Sequence, residues 1–379
     1  MSSNLFREIQ IILKNHSKLL SVKNYKNKKL YNYNKEIIIS QRYNIYSGIG
    51  ICRSIITNNE NKLLMVSPSK SVDYKSFINQ YPNIHDVIVE EFIEGTMMNV
   101  FWDTEYETWD FSTKTNIGGN TTFFNEKTFR VLFEEVLEYA KLDVKQLDKN
   151  VCYSFVFQHP ENRIVSQFNN LNLYLIEAYK ITNDEIEILN TRELLKTEAF
   201  NNTKIYCPLI YVYNSYEELY NFYTNKTLNY KIMGVVIRDK YTNIRTKIRN
   251  PCYEMVRRLR GNNPKLQYHY YSLLKENMIP LFLTYYPEYK DEFISFEQKD
   301  KIFNQTLYKN YVNCYIKKKK QLNEYPKNYK THMYKIHQIY KDFLQCKKSS
   351  VDLNIVKNYT IKLDIKLYLW SVNYDYYEC

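Results

Sequence analysis

Glycine is scarce in this chain: there are 7 among 379 residues. No GxxxxGK[ST] and no GxGxxG occurs, which excludes the glycine-rich loops that cradle nucleotide phosphates. The 7 cysteines, Cys52, Cys152, Cys207, Cys252, Cys314, Cys346 and Cys379, form no CxxC pair and no Cys–His zinc spacing. A structural zinc site is therefore not expected, and scattered thiols suit a reducing compartment. No run of 18 apolar residues exists, so no membrane-spanning helix is expected. Residues 1–20 carry Arg7, Glu8, Lys14, His16 and Lys18 and lack the apolar core of a signal peptide. Cys379 lacks the three following residues of a prenylation box. The expected location is cytoplasmic, with no membrane partner. Arginine is also missing from one region: all 12 lie at or before Arg260.

What is present is charge and tyrosine. The formal net charge is +12, of which the stretch from Gly261 onward carries +7 through lysine alone. A basic balance favours polyanionic partners. The 39 Tyr invite stacking on bases. However, Tyr, Lys, Asn and Ile all have AT-rich codons, so base composition is a competing account.

Hydrophobic periodicity divides the chain into three parts. Residues 1–40 read as an amphipathic helix (Leu5, Ile9, Ile12, Leu13, Leu19) followed by a basic, polar lead over Lys23–Lys35. Residues 41–260 read as short strands at Ile51–Thr57, Lys62–Val66, Val87–Phe92, Met97–Trp102, Trp109–Thr113, Cys152–Gln158, Leu173–Lys180, Glu185–Leu189, Gly234–Arg238 and Arg245–Ile248. Helices are expected there at Thr128–Lys141 and Glu217–Tyr223. Residues 261–379 read as a basic all-α domain, with helices over Tyr268–Lys275, Lys301–Lys320, Thr331–Gln345 and Leu353–Trp370. The fold class is α+β, with mostly antiparallel sheets.

Four segments carry chemistry-bearing residues. Arg53 opens a strand in CRSII. In EEFIEGTMM, Gly95 marks a turn that needs positive φ, and Glu94 sits at the sheet rim. In FVFQHPENRIV, a strand enters a turn at Pro160 and a second strand is expected from Arg163. His159 alone fits a structural hydrogen-bonder better than a catalyst. Last, MGVVI precedes RTKIR, where Lys247 and Arg249 project from one strand face and could clamp a phosphate chain. A basic edge strand that discourages aggregation is the plainer reading.

Taken in order, these segments resemble the covalent nucleotidyltransferase (adenylation-type) fold, specifically the bacteriophage-type tRNA-repair RNA ligases. In that family a "CRGI"-like strand precedes a lysine motif, K-x-D-G. Then come a glutamate strand running into "P-x-N-R-I-V", an "E-G-x-V" strand and a "K-I-K" strand. Here they read CRSII, FIEG, FVFQHPENRIV, MGVV and TKIR, over residues 40–260. The wording EEFIEGTMMNVF and YSFVFQHPENRIV also resembles uncharacterised ligase-like proteins of large DNA viruses.

The departures fall on the reactive positions. Phe92 stands where the family's lysine attacks the α-phosphate of ATP, and a phenyl ring has no lone pair to attack with. Val156 and Met233 stand where the family has two glutamates; Gln158 shares the face of Val156 by alternation. The retained residues, Arg53, Glu94, Gly95, Arg163, Lys247 and Arg249, are of the kind that bind nucleotide and phosphate or position neighbours. The resemblance thus implies a degenerate RNA ligase-like protein. It would bind nucleotide and RNA (tRNA or single-stranded ends) through Arg53, Glu94, Lys247 and Arg249, with no catalytic residue, no metal site and no cofactor. One alternative is a divergent active ligase using ATP and Mg²⁺ with Lys70 or Lys114 as substitute nucleophile. A second is a structural or interaction protein of a large DNA virus. In the basic C-terminal part, Lys317–Lys320 would supply phosphate contacts. Tyr268, Tyr270 and Tyr271 would stack on unpaired bases.

Overall fold

Leu5, Ile9, Ile12 and Leu13 form the inner stripe of the first helix, α1 (Ser2–Asn15), with Ile9 and Ile12 fully buried. The computed structural model describes residues 2–34, 36, 48–124, 126–183, 185–346 and 349–374. The expected boundary at 40/41 and Cys379 lie outside these residues. The chain forms two compact units, Met1–Arg258 and Leu259–Cys379.

In the first unit the elements run β1 (Leu20–Tyr25), β2 (Lys28–Tyr33), β3 (Arg53–Asn58), β4 (Leu63–Met65), α2 (Tyr74–Gln80), β5 (Val87–Glu91), β6 (Thr96–Asp103), β7 (Thr108–Ser112), α3 (Phe129–Ala140), β8 (Val151–Gln158), β9 (Asn172–Ile181), β10 (Ile186–Ile188), α4 (Thr191–Leu194), β11 (Ile205–Tyr206), β12 (Ile210–Tyr211), α5 (Tyr216–Thr224), β13 (Gly234–Asp239), β14 (Arg245–Arg249) and α6 (Pro251–Arg260). They form three sheets, ordered β1-β2-β3-β4, β10-β9-β8-β6-β7 and β12-β5-β13-β14. All pairings along these orders are antiparallel; β11 pairs parallel to β9. This is the α+β design with antiparallel sheets that the strand pattern implies.

The basic lead over Lys23–Lys35 is largely a hairpin, because its lysines are not all solvated. Lys28 is buried with Asp103 and Asp110 as partners, the latter at 3.1 Å. Burial pulls the Lys28 amine down, but the two carboxylates outweigh it and hold it above its ordinary range. Strand β8 is buried along its whole length. Its Tyr153, Phe155 and Phe157 face α3, which presents Leu132, Phe133, Val136 and Leu137 and is N-capped by Thr128. The opposite face carries Cys152, Ser154, Val156 and Gln158, as alternation requires. A buried polar chain, Ser154 Oγ to Asn99 and Asn99 to Ser112, satisfies that face.

The second unit is helical: α7 (Leu266–Lys275), α8 (Ile279–Tyr285), α9 (Lys290–Tyr311), α10 (Lys327–Ile339), α11 (Leu353–Thr360) and α12 (Ile365–Val372). Three expectations change. Leu353–Trp370 is two helices, because Asp364 caps α12 by accepting from Lys366 N and Leu367 N. The lysines 317–320 lie past the end of α9, whose last turn widens into a π-helix at Val312–Ile316. Tyr270 and Tyr271 point into the core with Phe282, Phe293 and Tyr368 and are not available to bases. Among the described residues, no helix is long and apolar enough to cross a membrane.

Candidate functional site

The first and third sheets bring basic residues together around Phe92. Phe92 follows β5, and its N–H donates to the Gly234 carbonyl at 3.4 Å. Lys247 and Arg249 share one face of β14. The Lys247 Nζ lies 5.6 Å from the Phe92 ring centroid, and the Arg249 guanidinium carbon lies 5.3 Å from it. The same alternation places Arg245 on that face, a third cation that the period of two contains and that motif comparison alone does not single out. Arg245 donates to Ser69 O at 2.7 Å and pairs with Glu177 at 3.2 Å. Arg53, at the start of β3, donates weakly to Pro68 O at 3.5 Å.

The charges interact strongly. Burial, then Arg249, Arg53 and Arg245, lower Lys247 to about 7. Burial, then Arg245, lower Arg53 to about 10, although Tyr33 and Glu177 oppose this. Arg249 is paired with Glu254, and Arg245 with Glu177. Among the described residues no salt bridge serves Arg53 or Lys247. The basin therefore holds more positive charge than its own carboxylates offset.

Lys70 and Lys114 meet at another ring. Both turn to Tyr33, at 5.8 and 4.7 Å from its ring, and Lys114 Nζ donates to the Tyr33 hydroxyl at 3.3 Å.

Glu94 has a structural task. Its Oε1 accepts from Val165 N at 2.6 Å and Ser166 N at 2.9 Å. The strand expected from Arg163 is therefore a loop, because its N–H groups turn inward to this carboxylate. Arg163 holds the same loop through Val165 O at 3.0 Å. Burial raises the Glu94 carboxyl, against the Ser166 and Val165 hydrogen bonds and Arg163. Gln158 donates to Glu94 O and accepts from Asn172.

Two glycines are sterically required. At Gly95, φ is +151° and a Cβ would lie 2.4 Å from Phe157 O; at Gly234, φ is +136° and a Cβ would lie 2.1 Å from Ile248 O. Val156, 5% exposed, packs against Gly95. Met233 is half-buried and, with Phe92, Glu94, Gln158 and Tyr213, lines a cavity of about 460 Å³. Ser54, where the resembled family has glycine, carries φ +102°, a strained value for serine.

Val156 and Met233 bring no carboxylate to Phe92, but Glu91 and Glu94 line the same cavity. Glu94 Oε1 is taken by two N–H groups, while its buried Oε2 has no hydrogen-bond partner among the described residues. One cluster of acidic and imidazole groups exists among the described residues, Glu135, His159 and Glu161. Its groups are already engaged. His159 Nδ1 accepts from Glu161 N at 3.0 Å, its Nε2 faces Glu135 at 2.8 Å, and Lys127 joins both glutamates. His159 is the structural hydrogen-bonder that its isolation suggests.

No protein family matches the chain, and no curated protein does. Solved structures do. A Naegleria gruberi RNA ligase with PPi is similar at 13% identity and TM-score 0.39, over 51% of this chain and 59% of that one. The chain thus spans about three fifths of that ligase's length. An archaeal ATP-dependent RNA ligase is similar at 13% identity and TM-score 0.42, over 77% of this chain and 70% of that chain. A putative ATP-dependent DNA ligase from Aquifex aeolicus is similar at 12% identity and TM-score 0.38, over 89% of this chain and 80% of that chain.

Proposed function

We propose that the first unit is a ligase-type nucleotidyltransferase domain that holds the phosphates of a nucleotide or an RNA end without transferring them. The observation that carries this is the placement of Lys247 and Arg249 over the Phe92 ring, within the field of Arg53 and Arg245. Crowded cations with too few counter-ions favour a bound polyanion, since each added anionic oxygen relieves repulsion that the free basin carries. The residue at the centre cannot form a phosphoramidate. Among the described residues, the Mg²⁺ that would offset charge on a transferring phosphoryl group would find Glu91 and Glu94 beside Phe92, and one Glu94 oxygen is already committed to the Val165 and Ser166 N–H groups. The order of motif segments along the chain, and their meeting at Phe92, support the ligase ancestry.

The test pairs binding with chemistry. ATP and a 5′-phosphorylated RNA oligonucleotide are titrated at two salt concentrations, and the protein is incubated with α-labelled ATP and Mg²⁺ or Mn²⁺ before a denaturing gel. Salt-sensitive binding that Lys247→Met and Arg249→Gln weaken, with no labelled band, is expected. Absence of binding sinks the reading; a labelled band overturns its non-covalent part.

A further inference from the structure

The second unit carries a cavity that neither its lysine run nor its core tyrosines account for. It measures about 310 Å³ and lies between α10 and α12, lined by Lys327, Lys330 and Thr331 from one helix and Leu367 and Trp370 from the other, with His332 below. Trp370 is 38% exposed and Leu367 40%, large apolar groups left open at a groove. His332 is 2% exposed, and both its ring nitrogens are engaged, Nδ1 with Tyr359 OH and Nε2 with Ser371 Oγ, each at 2.9 Å. Burial, then Lys335, lower it to about 4, so the floor of the groove is uncharged at neutral pH. Among the described residues, the charged groups lining the groove are the two lysines, and no carboxylate lines it. Lys327 opens α10, a helix of 13 residues capped by Pro326 with no side-chain hydrogen bond. The positive end of its dipole adds to the lysine field.

An indole face beside two ammonium groups matches one class of ligand: an aromatic base attached to a phosphate. A purely apolar peptide would leave the lysines unused, and an acidic peptide would leave the indole without a ring to stack on. The net +7 of this region supplies the longer-range attraction. We propose that the groove between α10 and α12 binds single-stranded RNA, with an unpaired base against Trp370 and its phosphate between Lys327 and Lys330. The proposal rests on the RNA-end reading of the first unit only for the class of ligand; its residues are separate. It also changes which aromatic is expected to stack. Of the candidates Tyr268, Tyr270 and Tyr271, the last two are 3% and 1% exposed, while Tyr268 is half-buried.

The chain's three tryptophans make the test direct. Trp102 and Trp109 pack against each other in the first unit, with ring centroids 5.5 Å apart, so Trp370 is the remaining reporter. The full chain is titrated with an oligouridylate RNA, following tryptophan emission and, separately, anisotropy of a labelled RNA. Wild type is expected to show saturable quenching. Trp370→Phe should abolish the quenching, and Trp370→Ala should weaken binding roughly 5- to 150-fold, the range of base–aromatic stacking. The double variant K327Q/K330Q, altered at a helix start, should reduce the slope of log K against log salt by about 0.7, for the one phosphate no longer neutralised. Wild-type affinity in Trp370→Ala together with an unchanged salt slope in K327Q/K330Q would overturn the proposal. Lys247→Met separates the two readings. If it abolishes ATP binding but leaves Trp370 quenching by RNA, both stand. If ATP binding is unaffected, the basin reading fails while the groove remains. If quenching vanishes with Lys247→Met, the groove is not an independent site and the proposal fails.

Discussion

Lys247 gives the sharpest prediction, because its environment makes its charge costly. Its amine sits near 7 against an ordinary 10.5, through burial and the fields of Arg249, Arg53 and Arg245. In the unfolded chain the same amine keeps its proton up to about 10.5. Between pH 7 and 10.5 the unfolded state therefore binds more protons than the folded one, and this residue makes stability rise with pH across that window. At about 1.4 kcal/mol for each pKa unit, the ceiling is about 5 kcal/mol. Because the side chain is only partly buried, about 2–3 kcal/mol is the working figure. Lys247→Met removes the titration and keeps the length. Urea unfolding at pH 7.0 and 9.5, followed by the emission of Trp102 and Trp109, compares the two proteins. The variant should be the more stable at pH 7.0, by about 2 kcal/mol or more, and the difference should shrink to about 1.4 kcal/mol or less at pH 9.5, closing only above about 10.5. A bound anion holds the amine protonated, so ATP should bind wild type more weakly as pH rises above 7, by at most tenfold per unit. If the stability difference between the proteins is the same at both pH values, the cationic basin is not coupled as described.

Other outcomes follow from the same geometry. Gly95→Ala should cost at least about 3 kcal/mol or prevent folding, read by thermal melting, because its Cβ would meet backbone at Phe157 O and at a φ that alanine avoids. Glu94→Ala should cost about 2–5 kcal/mol by leaving two buried N–H groups without an acceptor. Glu94→Gln keeps the acceptor. Since burial raises the native carboxyl, stability from that residue is fully present at low pH and lost as pH rises, so the Gln variant should gain on wild type between pH 4 and 7 in denaturant titrations. Ser54→Gly should stabilise by about 1 kcal/mol by relieving φ +102° at the start of β3; a loss of stability would show that the Ser54 hydroxyl matters more than the backbone strain.

Strands were legible where β-branched and aromatic residues run together between turn signals. The expected Cys152–Gln158 is β8, and Arg245–Ile248 is β14 to within a residue. Alternation along the strand assigns Lys247 and Arg249 to one face. What it does not supply is the partner across space: that this face meets Phe92 follows from the third sheet, where β13 lies between β5 and β14. The hairpin over Leu20–Tyr33 was hidden because its lysines read as solvated, and the compensation for Lys28 comes from Asp103 and Asp110, some 80 residues away in sequence. The loop after Pro160 was hidden for the opposite reason. Arg163-Ile164-Val165 has strand composition, but the N–H groups of Val165 and Ser166 are claimed by a buried carboxylate from a different segment, and a side-chain acceptor with two N–H partners outcompetes a ladder.

The tyrosines can now be judged one at a time. A tyrosine kept for its hydroxyl should have that hydroxyl bonded when buried, since an unsatisfied buried polar group costs about 1–3 kcal/mol. Tyr179 meets this criterion through Glu177, which also pairs with Arg245, so it belongs to the basic site's support. Tyr253 does not: it is fully buried at the start of α6, and its hydroxyl has no hydrogen-bond partner among the described residues. Burial holds that phenol far above its ordinary range, so it stays neutral at every accessible pH. A phenylalanine would fill the same space without the buried oxygen. Tyr253→Phe should therefore leave stability unchanged or raise it by up to about 1 kcal/mol, measured by denaturant unfolding at pH 7. A loss above about 1 kcal/mol would mean that the hydroxyl is engaged and that this tyrosine is there for its oxygen. The expected gain would instead make it a product of composition, a ring supplied by AT-rich codons where packing asked only for an aromatic.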